Sequence, residues 1–321
     1  MFTYVVRRLL YTIPVLFATS LLIFTFVAVS GDPLGEIRRL PNVSQITIDN
    51  LIEDKHLDKG LMVQYWEWLK AAVTDRFGTT LLGDEPIWPD LKRVLGNTLQ
   101  LIVLSQIFSV MIAIGVGVYS AVRQYSVFDY SSTAFSFLGF SMPVFWLALI
   151  LQVVFTNIYL NYGVRIFYTA QLSSPNPENF LLDRFQHLML PVITLTVIGV
   201  AQYSRYMRAS MLEIINSDYV RTARAKGLQE RRVVMKHAFR NALIPLVTVV
   251  AIDFGALFGG AFATETVFAL DGMGPYFLRA LGSRDVYPVM AWLMVTGIMI
   301  VLFNLIADII YGYLDPRIRY D

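Results

Sequence analysis

DYVRTARAKGLQERRVVMKHAFRNALIP, running from Asp218 to Pro245, lies between two long apolar runs and decides how the rest of the chain is read. Its charge density keeps it out of a bilayer, and its pattern is too regular for a plain linker. Asn216, Ser217 and Asp218 offer helix N-caps, residues 219–226 supply two turns, and Gly227 stands where a left-handed residue ends them. A second helix is expected from around Gln229 toward the next apolar run. The product is a short helix held crosswise at a membrane surface and tied at both ends to membrane helices. A basic helix resting on anionic headgroups fits the same residues without a protein partner, so both readings stand at this level.

Outward from this segment, hydrophobic residues make up 56% of the 321 and charged residues only 16%, the balance of an integral membrane protein. Apolar runs near 9–29, 98–121, 131–160, 187–207, 243–264 and 288–312 are each long enough to cross about 30 Å of hydrocarbon. They predict an all-α membrane protein with six transmembrane helices. The first run follows Arg7 and Arg8 as a signal peptide would, but it is too long for a signal core and no small-residue cleavage site follows, so it reads as a retained helix.

Positive residues set the orientation. One side receives Arg7, Arg8, Arg123, the nine Lys or Arg from Arg205 to Arg240, Arg317 and Arg319, whereas connections 161–186 and 266–287 receive two each. Both termini are therefore expected in the cytoplasm of a multi-pass protein of the cell membrane. Residues 1–29 form the N-terminus and first helix, 30–96 an extracytoplasmic insert, and 97–321 the membrane core, with the cytoplasmic loop at 208–242. Within the insert, residues 61–73 read as helix and Gly78, Gly83, Pro86 and Pro89 as turns. Packing over helix ends and docking of a soluble partner fit it equally.

Inside the membrane, Ser105, Ser109, Ala113, Gly117 and Ala121 form one stripe of small residues, and Ala251, Gly255, Gly259 and Ala263 another. Such stripes let helix backbones approach closely, either within the chain or against a second subunit. Pro14, Pro143 and Pro191 interrupt backbone hydrogen bonding. Asp253 is the clearest ionisable group at membrane depth and must face protein or water, as a structural hydrogen-bond partner or as a pathway residue. Asp253, Gly255, Gly259, Ser141 and Pro143 are thus candidates for helix packing or the pathway. No cysteine is present, His56, His187 and His237 are scattered, and neither a phosphate loop, a His-Glu-x-x-His pair nor a Gly-x-Ser-x-Gly elbow occurs. No catalytic residue or metal site is expected, and any energy for transport must come from elsewhere.

Tyr219 through Leu228, followed by His237 through Pro245, resembles the coupling loop of binding-protein-dependent ATP-binding-cassette (ABC) importer permeases, closest to the dipeptide, oligopeptide and nickel branch. The general signature there is Glu-Ala-Ala, three residues, then Gly. This chain has Arg221-Thr222-Ala223 in those places, and Gly227 keeps the spacing. The resemblance continues through Tyr4–Leu10, Phe77–Thr80, Asn97–Leu99, Ser141–Phe145, His187–Pro191, Ser204–Arg208, Glu265–Gly274, Arg284-Asp285 and Leu314–Arg319. Arg76 departs from it, standing where an acidic or small residue is usual.

The resemblance implies the type I ABC importer permease fold, with the extracytoplasmic insert between helices 1 and 2. It implies half of a translocation pathway for di- or oligopeptides, nickel and other small solutes being the alternative cargo. A second homologous permease subunit, two cytoplasmic ATPase subunits and an extracytoplasmic solute-binding protein would be the partners, in contact with membrane lipid and with no nucleic acid. ATP and Mg would be bound by the ATPase subunits, with no cofactor in this chain. Asp218, Tyr219, Arg221, Thr222, Ala223, Arg224, Lys226, Gly227 and Leu228 would form the coupling helix that contacts the ATPase. A secondary transporter driven by an ion gradient and a membrane enzyme acting on lipid-linked substrates are the competing classes.

Overall fold

The computed structural model describes residues 2–31, 34–35, 37–39, 43–81 and 83–314. Long helix α1 (Phe2–Ser30) leads into two short ones, α2 (Gln45–Asp54) and α3 (Leu61–Thr74). Next come α4 (Ile87–Val122), α5 (Val127–Ser141), α6 (Val144–Tyr162) and α7 (Phe180–Ile215). α8 (Asp218–Ala225) is followed by α9 (Glu230–Arg232), which continues through a π-helical stretch at Val233–Ala238 into α10 (Phe239–Gly260). α11 (Phe262–Val267), α12 (Met273–Gly282) and α13 (Val286–Leu314) follow. Among the described residues the extended pairing is limited to one isolated bridge between Thr79 and Pro86. Among the described residues six segments are long and apolar enough to cross a bilayer: α1, α4, α6, α7, the run from α9 into α10, and α13. The expected count of six holds.

Two expected boundaries do not. The apolar run at 131–160 is two helices, α5 and α6, because Met142 is extended (φ −83°, ψ 125°) and Pro143 caps α6. Proline has no N–H to donate and disfavours helical geometry in the residue before it, so the break falls at this pair. The run at 243–264 also ends early: α10 stops at Gly260, and Ala263 belongs to α11. Pro14 and Pro191, by contrast, sit inside the unbroken helices α1 and α7.

α4 and α7 are each 36 residues long, or about 54 Å at 1.5 Å per residue, so both project beyond the hydrocarbon. Their mutual approach organises the bundle. Ser105, Ser109, Ala113, Gly117 and Ala121 are all buried. A Cβ placed on Gly117 would stand 2.6 Å from Met207 Cβ and 2.8 Å from the Ser204 carbonyl oxygen, and Gly199 sits equally close to Ser109. Lipid supplies no hydrophobic drive between helices, so this close fit is what holds the pair. α5 joins α7 in the same way, with Gly139 against Ala201. On the other side α10 leans on α13, where a Cβ on Gly255 would lie 3.5 Å from Ile300 Cα. The stripes therefore serve packing within the chain at Gly117 and Gly255. Gly259 continues α10, and its surroundings lie outside the described residues.

The segment between α1 and α4 is built onto the bundle. Tyr65 of α3 hydrogen-bonds Ser20 of α1 at 2.9 Å, and with Trp68 it packs on Phe24 and Met290. Leu34, Ile37, Ile48 and Leu81 form a small core of their own. The Leu81 N–H donates to Asp285 at the start of α13 (2.6 Å). We expect Gly117→Ile to lower the thermal midpoint of the detergent-solubilised protein, overpacking of this kind costing about 1–3 kcal/mol. The same change at Gly96, which has open space around it, should cost less; equal midpoints for the two variants would contradict the packing described.

Candidate functional site

At one end of the bundle the chain leaves α7 at Ile215 and turns at Asn216 into α8. Ser217 occupies the N-cap position with extended geometry, although its hydroxyl donates to the Ile214 carbonyl (2.6 Å) rather than capping α8. α8 is two-sided. Val220 and Ala223 are buried against Met207, Met211, Val233, Val234, Ala238 and Ala242; burying a valine of this kind is worth about 2 kcal/mol. Asp218, Tyr219, Arg221, Thr222, Arg224, Lys226 and Gly227 form the exposed side, with Leu228 half-buried at its edge. Of the nine predicted contact residues, Ala223 alone is buried. Its small size serves the seat of α8 on the bundle.

Gly227 ends this element with φ +74° and open space around it. The backbone conformation is the constraint there, since a side chain would meet nothing. Across the turn Arg224 pairs with Glu230 (2.7 and 3.1 Å) and donates to the Ile215 carbonyl (3.2 Å). Tyr219 accepts from Asn241 of α10 (3.0 Å). These bonds tie α8 to both the helix before it and the helix after it, so it moves with them.

A second constraint at this end was not read from the sequence. Asp129 of α5 is buried and accepts a bidentate pair from Arg208 of α7 (2.6 and 2.8 Å), the Tyr125 N–H (2.9 Å) and the Ser120 hydroxyl of α4. The Arg208 guanidinium holds its carboxyl well below the usual carboxylate range. Seventy-nine positions separate the partners, so spacing offered no signal.

Within the bundle, Asp253 of α10 lies on a cavity of about 250 Å³ together with Gln106, Gly199, Gln202, Tyr203 and Leu257. Gln202 donates to it at 2.8 Å, and Gln106 donates to the Tyr203 hydroxyl at 2.9 Å. Gly255, two residues on and so on another face of α10, packs against α13, outside this cavity. Ser141 is exposed and back-bonds to Leu138 (3.0 Å), while Pro143 is the exposed cap of α6. The candidates named in the sequence thus separate into three places.

At the opposite end from α8, Glu265 is almost fully buried. It accepts the Thr98 hydroxyl and the Gly274 N–H (2.8 Å), while Thr98 accepts the Met273 N–H (2.8 Å). Burial pushes the Glu265 carboxyl up. Gly272 and Gly274 are required here because the carboxylate occupies the space a Cβ would take. Among the described residues no group of three or more His, Cys, Asp or Glu is arranged to hold a metal.

The six helices long and apolar enough to cross a bilayer, with a two-sided helix exposed at one end, define a multi-pass membrane protein. The chain belongs to the family of binding-protein-dependent transport system inner membrane components, whose model matches residues 113–320. It is 38% identical over the full length of both chains to the oligopeptide transport system permease protein AppB of Bacillus subtilis. It is 36% identical, again over both full lengths, to the dipeptide transport system permease protein DppB of Alkalihalophilus pseudofirmus. DppB of Escherichia coli K12 is 33% identical over 100% of this chain and 99% of that one. Among solved structures, a MetNI methionine ABC transporter chain in an inward-facing conformation aligns with a TM-score of 0.55 and 21% identity, covering 72% of this chain and 99% of that chain. An amino acid ABC transporter chain aligns at 0.52 and 11%, covering 70% and 94%. These two likenesses concern the fold.

Because the folded value of Asp129 lies below its unfolded one, the Arg208 pair contributes fully above about pH 4 and is lost as pH falls through the folded value. Asp129→Asn should therefore destabilise the protein at pH 7, by about 3 kcal/mol if Arg208 is left uncompensated. The gap in thermal midpoint should narrow as the pH is lowered below 4. A gap independent of pH would contradict the pairing.

Proposed function

We propose that this chain is the permease subunit of an ABC importer for di- or oligopeptides, forming half of the translocation pathway beside a second homologous permease. Two cytoplasmic ATPase subunits bind ATP and Mg and dock on the exposed side of α8. An extracytoplasmic binding protein delivers the peptide, the segment 30–96 faces that side, and both termini are cytoplasmic. The observation that carries the reading is the two-sidedness of α8. Its apolar side is welded to α7, the π-helical stretch and α10, while Asp218, Arg221, Thr222 and Lys226 leave its polar side exposed. Family membership and the names of the full-length relatives support the class of system and its cargo.

The mechanism follows from rigidity. Closure of the ATPases on ATP displaces α8, and the displacement passes into α7 through the Ile215 carbonyl contact of Arg224. It passes into α10 through Tyr219–Asn241 and the buried seat of Val220. A stiff element with two arrangements transmits the change, with no chemistry in this chain.

Gly227→Val should disturb the turn, since a left-handed backbone costs a residue with a Cβ about 1–2 kcal/mol and a β-branched one more. The variant complex should lose ATPase binding or peptide-stimulated hydrolysis, whereas Gly227→Asn should retain most of both. Parental coupling in the valine variant would sink the docking assignment. Deleting residues 40–75 should impair delivery by the binding protein more than ATPase association; equal loss of both would contradict the orientation.

A further inference from the structure

The acids inside the bundle are satisfied by different devices, and the half-buried Asp253 is left facing space. Asp129 meets Arg208, Asp183 meets His187 (3.5 Å) and the Ser174 N–H (2.9 Å), and Glu265 takes the Thr98 hydroxyl and the Gly274 N–H. Among the described residues the donor to Asp253 is neutral, the Gln202 amide, with Tyr203 lining the same cavity. Arg205, three residues along α7 from Gln202, lies over Phe137 and Phe140 of α5 (4.9 and 5.3 Å) rather than pairing with it. A carboxylate offers about four acceptor sites, so the one Gln202 bond leaves it unfilled. The cavity it faces, about 250 Å³, far exceeds the roughly 30 Å³ share of one water.

We propose that this cavity recognises the protonated amino group of a peptide in transit, with Asp253 as its acceptor and Gln202 holding the carboxylate in place. The inference rests on the peptide-permease reading and assigns a position within its pathway. An ammonium group brings three donors and a full charge, which meets both needs of an acid at membrane depth. Leu195, Ile198 and Leu257 form the apolar part of the wall and offer no side-chain hydrogen bond. They accept peptide side chains without selecting among them, while the amino group common to all free peptides is what the site reads. Gly199 borders the cavity on the α7 side, and the place its side chain would take is filled by Ser109 of α4.

The test uses the assembled transporter with its binding protein in proteoliposomes. Two tripeptides with free amino ends carry a benzophenone side chain, one at residue 1 and the other at residue 3. On illumination during turnover, the residue-1 probe should label the α7 and α10 segments around Gln202 and Asp253 more strongly than the residue-3 probe. Asp253→Asn should erase that preference and lower uptake about tenfold, the equivalent of one lost charge-assisted contact. Asp253→Glu should keep the preference. Equal labelling by both probes, no labelling of these segments, or a preference that survives Asp253→Asn would overturn the proposal. Failure of the parental complex to import either peptide would instead overturn the peptide-permease reading.

Discussion

Gly117 and Gly199 allow α4 and α7 to approach until Met207 and Ser109 fill the places their side chains would take. In lipid, where apolar burial between helices yields little, dispersion across such a contact is the main available attraction, and it falls off within an ångström. The rest of the bundle depends on this pair. α7 also receives α5 through Gly139–Ala201 and carries Gln202, Arg208 and the foot of α8. Because both helices exceed the hydrocarbon in length, one contact in mid-membrane fixes the relative position of features at the two ends. The loop-bearing end holds Asp129–Arg208 and α8; the opposite end holds Asn97–Asp271 (2.7 Å) and Thr98–Glu265.

The polar groups at these ends differ in purpose. Asp129 is a knot that joins α4, α5 and α7, and removing one member leaves a buried charge uncompensated. Glu265 organises the entry to α12 by taking the Gly274 N–H, while Thr98 bridges it to the Met273 N–H. That arrangement uses two of the free donors every helix start presents. Asp129 takes four donors and Glu265 is enclosed by protein, so both serve architecture. Asp253 is built differently: its donor is the neutral, flexible Gln202 amide, and it borders space.

Much of the architecture was legible because hydropathy and helix period leave local marks. The six spans, the end of α8 at Gly227 and the stripe from Ser105 to Ala121 all follow from residues close together in sequence. The break at Met142-Pro143 was not seen, since both flanking helices are apolar and a long window averages across two residues. The seat of residues 30–96 on α1 was also hidden, as Ser20 and Tyr65 are individually unremarkable and meet across 45 positions. Asp129–Arg208 and Thr98–Glu265 escaped for the same reason: pairing at long range is decided by packing, which no spacing rule encodes. Ala223 is a signature position whose side chain faces the bundle, a placement that membership in a signature does not encode.

Beyond the turn that follows α8, the chain from Glu230 to Asp253 is one continuous helical run, and its stiffness is uneven. Between Val233 and Ala238 the helix is π-wound, which widens it and leaves a register that can be relieved. Seven residues on, Pro245 lacks the N–H that would bond the Asn241 carbonyl. Beyond Pro245 the helix is regular and leans on α13 through Gly255 and Ile300. Bending under the proposed mechanism would concentrate between Val233 and Pro245, and the part bearing Asp253 would turn as a rod about its contact with α13. Under the proposed mechanism, a push on α8 arrives at the cavity as a rotation of α10 against α7. The Gln202–Asp253 bond spans that interface, so the same motion that reorients the pathway would also loosen the carboxylate from its neutral donor. Release of a bound amino group would then be a mechanical consequence of the stroke, needing no change of protonation.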